Sequence, residues 1–183
     1  MRSYLESSLL GGMLCTKKME EQMTMEFNSD GEDPPEQTIT ISTDDGILDI
    51  DTDWLLHKTT LAQKYLGKDQ SVIAVRVVND ATMSQMHNKH LGEDSTTDVL
   101  TFDQGGSDDS IDADIVICSD VAIRAADERG HTMNEELLLY IVHGMLHCIG
   151  FDDHDENSHR AMHEEEDKIL LAIGVGEIWS RRS

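Results

Sequence analysis

The segment from Val72 to Val78 constrains the fold of this chain more than any other part of the sequence. Its residues, VIAVRVV, are apolar and mostly β-branched, and only Arg76 interrupts them with a charge. A nearly continuous apolar strand is typical of a sheet whose faces are covered, since a half-exposed strand alternates apolar and polar residues. The segment therefore predicts a buried strand inside a layered domain.

Strands and helices alternate through the rest of the chain and then give way to helices alone. Alternating or β-branched runs predict further strands at 38–42, 98–102 and 113–118. Apolar periodicity and glycine stops predict helices at 52–66, 80–91, 119–129, 135–149 and 157–173. This order predicts a single α/β (α+β) domain with a mixed sheet of about four strands, on which the helices pack.

The two ends of the chain differ from this pattern. Residues 1–36 are rich in methionine, acidic and polar residues and hold both prolines, which predicts a flexible N-terminal extension. The domain is expected over 37–175 and a short C-terminal tail over 176–183. No apolar run approaches the roughly 20 residues that span a bilayer, and no convincing signal peptide is present, so we expect a cytoplasmic protein without membrane contact.

The chain is strongly acidic. It has 14 Lys and Arg residues against 37 Asp and Glu residues, a formal charge of −23. Within residues 38–175 there are 9 basic and 28 acidic residues, so the domain itself carries most of the charge. Such a surface excludes a promiscuous nucleic-acid binder, because phosphate binding needs basic side chains. It leaves room for a small metal-centred or basic site on an acidic body.

Two histidines four residues apart form the candidate centre of the chain. His143 and His147 lie on the predicted helix 135–149. They leave the same helix face, so both imidazoles reach one metal ion. The pair is flanked by the apolar residues Leu139, Ile141, Val142, Met145 and Leu146. Two imidazoles on so apolar a helix are costly unless something satisfies them. The pair therefore predicts a metal site on a central helix.

A third ligand is expected just after this helix. Gly150 ends the helix and turns the chain back, which brings Asp153 or His154 toward the pair. Zinc peptidases with this spacing carry a glutamate directly after the first histidine as general base, whereas this chain has Gly144. The absence weakens the peptidase interpretation. A metal-activated water, Asp152 or Asp153, or the substrate itself would have to serve instead.

Three segments resemble the YbeY family of bacterial rRNA maturation factors. Residues 143–152, HGMLHCIGFD, resemble the metal signature of that family. Residues 75–78 and 97–102, VRVV and TDVLTF, resemble its strand arginine and its Thr-(Asn/Asp)-Val-Leu-Ser-Phe strand. Residues 113–117, ADIVI, resemble its Gly-Asp-Ile-Val-Ile strand, with alanine in place of glycine. The resemblance extends over about residues 38–175.

The resemblance implies an α/β fold, one Zn²⁺ ion on three ligands and a single-strand-specific endoribonuclease activity. It also implies roles in 16S rRNA 3′-end maturation and ribosome quality control. By position, the first two ligands are His143 and His147. The family's third ligand is usually a histidine, and here that position is Asp153, with His154 one residue further on as the alternative. The implied partners are RNA, in the form of a 16S rRNA precursor, and the ribosome or a ribosomal protein, but not DNA.

Arg76 matches the strand arginine of the family. The resemblance implies a guanidinium that faces the cleft, clamps a phosphate and acts catalytically with His143 and His147. The alternative is an internal salt bridge to Asp98 or Asp114.

Two further features are expected to be structural. His159 and His163 repeat the four-residue spacing, but the run of glutamates beside them, residues 164–166, predicts a solvated helix face. Trp179 is expected to serve in packing.

Three functions remain possible from the sequence. The first is metal-dependent hydrolysis of RNA, for which so acidic a domain would need a partner with a basic surface. The second is a zinc-dependent hydrolase of peptides or small amides. The third is a non-catalytic ribosome-assembly factor whose zinc is structural.

Overall fold

Four strands and five helices make up the part of the chain that the computed structural model describes, residues 38–180. The predicted extension over residues 1–36 lies outside these described residues. The strands are β1 (Thr38–Thr43), β2 (Val72–Val78), β3 (Val99–Asp103) and β4 (Asp112–Cys118). The helices are α1 (Thr52–Tyr65), α2 (Asp80–Leu91), α3 (Ser119–Arg129), α4 (Met133–Cys148) and α5 (Glu156–Ala172). The predicted single α+β domain is confirmed.

The strands form one mixed sheet in the order β1-β2-β4-β3. The strands β1, β2 and β4 run parallel, and β3 pairs antiparallel with β4 at one edge of the sheet. The long crossovers between the parallel strands pass through helices, as parallel pairing requires. The predicted mixed sheet of about four strands is therefore confirmed.

The two faces of β2 are covered unequally. Ile73, Val75 and Val77 are buried in the main core, which they share with α1, α4 and α5. Arg76 points to the opposite face because side chains alternate along a strand. On that face a smaller apolar cluster joins Val78 to α2, and the surface around Arg76 stays open. The prediction of a buried strand is correct for one face and for only part of the other.

The helix α4 packs across the middle of the covered face. Its apolar residues from Leu137 to Leu146 are buried, among them Leu138, Ile141 and Met145 with no exposed surface. This burial fixes the helix against the sheet, so that His143 and His147 emerge at the rim beside β3. The fold thus presents the histidine pair from a rigid element.

Residues 176–180 do not extend from the domain as a tail. The carboxylate of Asp167 accepts hydrogen bonds from the backbone amides of Ile178, Trp179 and Ser180, at 2.7–2.9 Å. Ile178 has no exposed surface. The predicted boundary is therefore too early, because the described residues 176–180 pack back onto the domain. No helix within residues 38–180 is long and apolar enough to cross a membrane.

Candidate metal centre

A capping box at its start and a glycine after its end fix the position and length of α4. Thr132 starts the helix with a capping box, in which its side chain accepts from the Glu135 amide and the Glu135 carboxylate accepts from the Thr132 amide. Gly150 follows the helix with φ 93°, a backbone conformation that favours glycine, and the chain turns back there. The turn carries residues 151–155 past the end of the helix and toward the histidines.

The structure brings together His143, His147 and Asp153. The two Nε2 atoms are 3.0 Å apart, and His143 Nε2 is 3.7 Å from Asp153 Oδ2. The three ligand atoms all lie within 4.8 Å of one another. Bonds of about 2.0–2.2 Å to a tetrahedral zinc ion place ligand atoms about 3.3 Å apart. The donor set therefore fits one metal ion with a coordination position left for water or substrate.

Hydrogen bonds at the opposite ring nitrogens hold both imidazoles in place. His147 Nδ1 donates to the carbonyl oxygen of Phe151 at 3.1 Å, and His143 Nδ1 donates to Glu166 Oε1 at 2.7 Å. An Nδ1 that carries the proton leaves the Nε2 lone pair available for a metal. Partners of this kind are typical of metal-ligating histidines. The arrangement supports a metal centre rather than a chance pair.

Glu166 is the centre of the polar network beneath the site. It has no exposed surface, and its second oxygen accepts from His163 Nδ1 at 2.5 Å. Burial raises the pKa of the carboxyl group, but the hydrogen bonds from His143 and His163 outweigh it, so that the pKa lies below its ordinary value. Burial lowers the pKa of His143, whereas the hydrogen bond and charge of Glu166 raise it above its ordinary value. In the metal-free protein the two groups therefore stabilise each other as an ion pair.

The two candidates for third ligand occupy different surroundings. Asp153 joins the histidine pair, and its side chain is about one third exposed, at 32%. The ring of His154 is 88% exposed, with Nδ1 3.5 Å from Asp152 and 3.8 Å from Asp153. His154 lines the same pocket but does not belong to the group that includes the histidine pair. The geometry favours Asp153.

The position after the first histidine has no room for a side chain. Gly144 faces the sheet, and a Cβ atom there would stand 2.7 Å from Thr101 Oγ1 and 3.2 Å from two side-chain carbons of Ile115. A longer side chain would push α4 away from β3 and β4. No general base can therefore act from this position in the observed packing.

An acidic pocket of about 490 Å³ opens beside the histidines. It runs along β3 and includes Asp98, Asp103 and Asp153, and none of its described lining residues is lysine or arginine. Cys148 also lines it, and burial, followed by the charge of Asp103, raises the pKa of this thiol to about 11. A phosphate that enters this pocket needs a cation to offset the carboxylates.

Arg76 is not part of this pocket. It lies on the other face of the sheet, beside an open groove of about 520 Å³ that His90 and Phe102 also line. Its guanidinium is half exposed and forms a two-bond ion pair with Asp44, at 2.8 and 3.1 Å. The structure therefore separates Arg76 from the histidine pair by the thickness of the sheet. Its salt-bridge partner is neither Asp98 nor Asp114.

Sequence reasoning missed Glu166. The signal was present, because Glu166 falls on the apolar stripe of α5, with Met162, Ile169 and Leu170 as its buried neighbours. A glutamate on the buried face of a helix requires a partner. The same network overturns the expected solvated face for His163, whose side chain is 13% exposed.

Fold and site together define a class: a single α+β domain whose central helix presents a three-residue candidate metal centre at the sheet edge. Residues 37–174 match the model of a family described as Endoribonuclease YbeY. The chain belongs to the YbeY family.

Individual relatives agree with this membership. The chain is 34% identical over 115 residues to a protein of Frankia alni named Endoribonuclease YbeY, an alignment that covers 55% of this chain and 62% of that protein. It is 33% identical over 113 residues to Endoribonuclease YBEY, chloroplastic, of Arabidopsis thaliana, covering 59% of this chain and 19% of that protein. The match thus spans less than two thirds of these relatives.

A solved structure shares the fold. The solution structure of TM1509 from Thermotoga maritima superposes with a TM-score of 0.51 at 22% identity, covering 74% of this chain and 89% of that chain. At this identity the likeness concerns the fold alone.

Proposed function

We propose that the chain is a metal-dependent, single-strand-specific endoribonuclease that acts in 16S rRNA 3′-end maturation and ribosome quality control in the cytoplasm. The observation that carries the proposal is the convergence of His143, His147 and Asp153 on one point, in a chain that belongs to the YbeY family. One Zn²⁺ ion held there would supply Lewis-acid polarisation of a phosphoryl oxygen and an acidified water.

The side chains and backbone around the site orient the metal ligands and accept a proton. Glu166 and the Phe151 carbonyl hold the two imidazoles with both Nε2 atoms aimed at the open pocket. Asp98 lines that pocket, its charge acts on His143 and it is outside the group of three ligands, so in this proposal it accepts the proton in the absence of a side chain at Gly144. Because α4 is packed on the sheet, it holds the imidazoles of His143 and His147 in fixed positions.

Substrate delivery follows from the charge of the domain. The carboxylates around the pocket repel a polyanion, and Arg76 stands on the other face of the sheet. Free RNA should therefore bind weakly at physiological salt. A partner with a basic surface, such as the ribosome or a ribosomal protein, would bring the RNA to the site. In this proposal Arg76 contributes to RNA or partner binding rather than to the reaction at the histidines.

Two observations bear on the alternatives. The contact of Gly144 with Thr101 leaves no room for the glutamate that zinc peptidases use, which disfavours hydrolysis of peptides. The buried apolar side of α4 holds the helix on the sheet through its own packing, which disfavours a zinc ion needed only for folding.

A substrate comparison tests the proposal. Zinc-loaded full-length protein is incubated with a labelled single-stranded RNA, the same RNA in a duplex, the DNA of the same sequence, and casein. The control is His147→Ala, purified identically so that host ribonucleases appear equally in both samples. We expect cleavage of single-stranded RNA by the wild type alone. Equal cleavage by the variant, or cleavage of casein instead of RNA, overturns the proposal.

A further inference from the structure

A second pair of histidines on α5 repeats the geometry of the first. His159 and His163 are four residues apart, and their Nε2 atoms face each other at 3.1 Å. The corresponding distance between His143 and His147 is 3.0 Å. Two nitrogen ligands on one metal ion with bonds of about 2.0–2.1 Å stand about 2.9–3.4 Å apart, between octahedral and tetrahedral angles. Both pairs fall in this interval.

One member of the second pair, His163, is also oriented by a buried carboxylate. His163 Nδ1 donates to Glu166 Oε2 at 2.5 Å, while Glu166 Oε1 serves His143 on the other side. This hydrogen bond fixes the proton on Nδ1 and leaves the Nε2 lone pair of His163 directed at His159. A metal-ligating histidine ordinarily donates its other ring N–H to a carboxylate, a backbone carbonyl or water, and Glu166 provides such a partner here.

Trp179 contacts both rings of the pair. Its indole stacks on the His163 ring at 3.7 Å with the planes 8° apart, and it meets the His159 ring edge-on at 5.3 Å. Stacking and the hydrogen bond to Glu166 together leave the His163 ring little freedom. The His163 ligand is therefore held in place before any metal arrives, which lowers the entropic cost of binding.

The geometry points to a second metal site: we propose that His159 and His163 bind a divalent cation of the imidazole-preferring kind, Zn²⁺, Ni²⁺ or Cu²⁺. Water would complete the coordination, since only these two side chains converge there among the described residues. With two protein ligands instead of three, this site should be the weaker one. The proposal concerns metal binding alone and does not depend on the activity proposed above.

Glu166 lies between the two histidine pairs and keeps their metal-binding nitrogens apart. Both His143 and His163 turn Nδ1 toward Glu166, so their Nε2 atoms lie on the sides of the rings away from it. The ring centroids are 6.2 Å apart. Among the described residues, the ligand atoms that lie within 4.8 Å of one another join His143 to His147 and Asp153 but not to His163. One ion therefore does not serve both pairs, whereas Glu166 supports both. Glu166→Gln should weaken metal binding at each site, by the roughly 10- to 100-fold that loss of such a partner costs.

Trp179 provides a direct readout of the second site. In a Trp54→Phe background it is the remaining tryptophan, since the chain has two. A Cu²⁺ ion bound at His163 lies next to the stacked indole and should quench its fluorescence. The chelator-stripped full-length chain is titrated with Cu²⁺, and a second titration with Zn²⁺ by calorimetry counts the equivalents bound.

The variants separate the two sites. His159→Gln, which removes the imidazole but keeps a side chain of similar reach, should abolish the quenching or shift it to at least tenfold higher Cu²⁺, and should remove the weaker of two Zn²⁺ equivalents. His147→Ala should keep the quenching and lose the tighter equivalent. His57→Ala, at an exposed histidine on α1, should change neither.

Three results would overturn the proposal. The first is a wild type that binds a single equivalent. The second is quenching that survives unchanged in His159→Gln, with the fold verified by circular dichroism. The third is quenching that disappears in His147→Ala instead, which would assign the copper to the first site. In each case the short contact between His159 and His163 is a hydrogen bond and nothing more.

Discussion

Gly144 on α4 rests directly against Thr101 on β3, so that a methyl group at position 144 would stand only 2.7 Å from Thr101 Oγ1. This contact lets the helix approach the sheet closely enough to hold the histidine pair at its rim. It also removes the position from which a zinc peptidase would supply its base. The same glycine thus explains both the placement of the site and the chemistry that it lacks.

The first prediction concerns this contact. Gly144→Ala should lower the free energy of unfolding by about 1–3 kcal/mol, the usual cost of overpacking a rigid interior. Thr101 Oγ1 is buried and has no hydrogen-bond partner, so Thr101→Ala removes the clash without breaking a bond. In urea unfolding, Gly144→Ala should therefore cost less in the Thr101→Ala background than in the wild type. An equal cost in both backgrounds would show that the clash lies elsewhere.

The second prediction concerns pH and the metal-free protein. The raised pKa of His143 stabilises the fold below its ordinary value of 6.5, and this contribution is lost as the pH rises through the higher folded-state value. The lowered pKa of Glu166 stabilises the fold above its ordinary value of 4.5, and this contribution is lost as the pH falls through the lower folded-state value. Both groups therefore contribute their full stabilisation between about pH 4.5 and pH 6.5.

The measurement compares the wild type with Glu166→Gln in the presence of a chelator. The difference in unfolding free energy should be largest between about pH 4.5 and 6.5 and should shrink at higher pH as His143 loses its proton. Glu164→Gln, at an exposed position on the same helix, is the matched control and should show little effect at any pH. A difference that grows steadily from pH 7 to 9 contradicts the ion pair.

The third prediction identifies the third ligand. Asp153→Ala should release the tightly bound metal or weaken it strongly, because Asp153 lies with the histidine pair. His154→Ala should keep it, because that ring is largely exposed and faces Asp152. Metal analysis of the two purified variants after gel filtration decides between them. The reverse pattern would assign the ligand to His154, and full metal in both would rule out a third ligand from this turn.

The fourth prediction concerns the thiol beside the site. Because the pKa of Cys148 is raised to about 11, little of it is thiolate at neutral pH. Its alkylation by iodoacetamide at pH 7.5 should be about 100-fold slower than that of a cysteine in an unstructured peptide with a pKa near 9, by the ratio of thiolate fractions. Peptide mapping by mass spectrometry measures the rate at this residue. Rapid labelling of Cys148 would mean that its surroundings are more open or more positive than the structure shows.

The grouping of His143 with His147 could be predicted from the sequence because its determinants are local. The four-residue spacing of His143 and His147 and the turn at Gly150 depend only on helix geometry and on a glycine that reverses the chain. The layered fold was also predictable, because the alternation of strands and helices depends on residue patterns within each segment.

What the sequence did not reveal depends on contacts between distant segments. Glu166 is 23 residues from His143, and only the packing of α5 against α4 brings them together. The face on which Arg76 emerges follows from which side of β2 the helices cover, which the strand's own composition does not determine. After α5 the chain folds back, and Asp167 accepts a hydrogen bond from the backbone amide of Ile178, whose side chain is buried. The short segment after residue 175 therefore resembles a tail in sequence although its described residues pack on the domain.

The central claim is that a metal ion at the His143 group enables cleavage of RNA. The most direct test strips the full-length protein with a chelator, restores zinc in steps, and follows cleavage of a single-stranded RNA. Activity should be absent in the stripped protein, reach its plateau as the first, tighter equivalent is bound, and stay absent in His143→Ala at every zinc level. Cleavage that persists without metal, or that zinc restores equally in His143→Ala, would contradict the account.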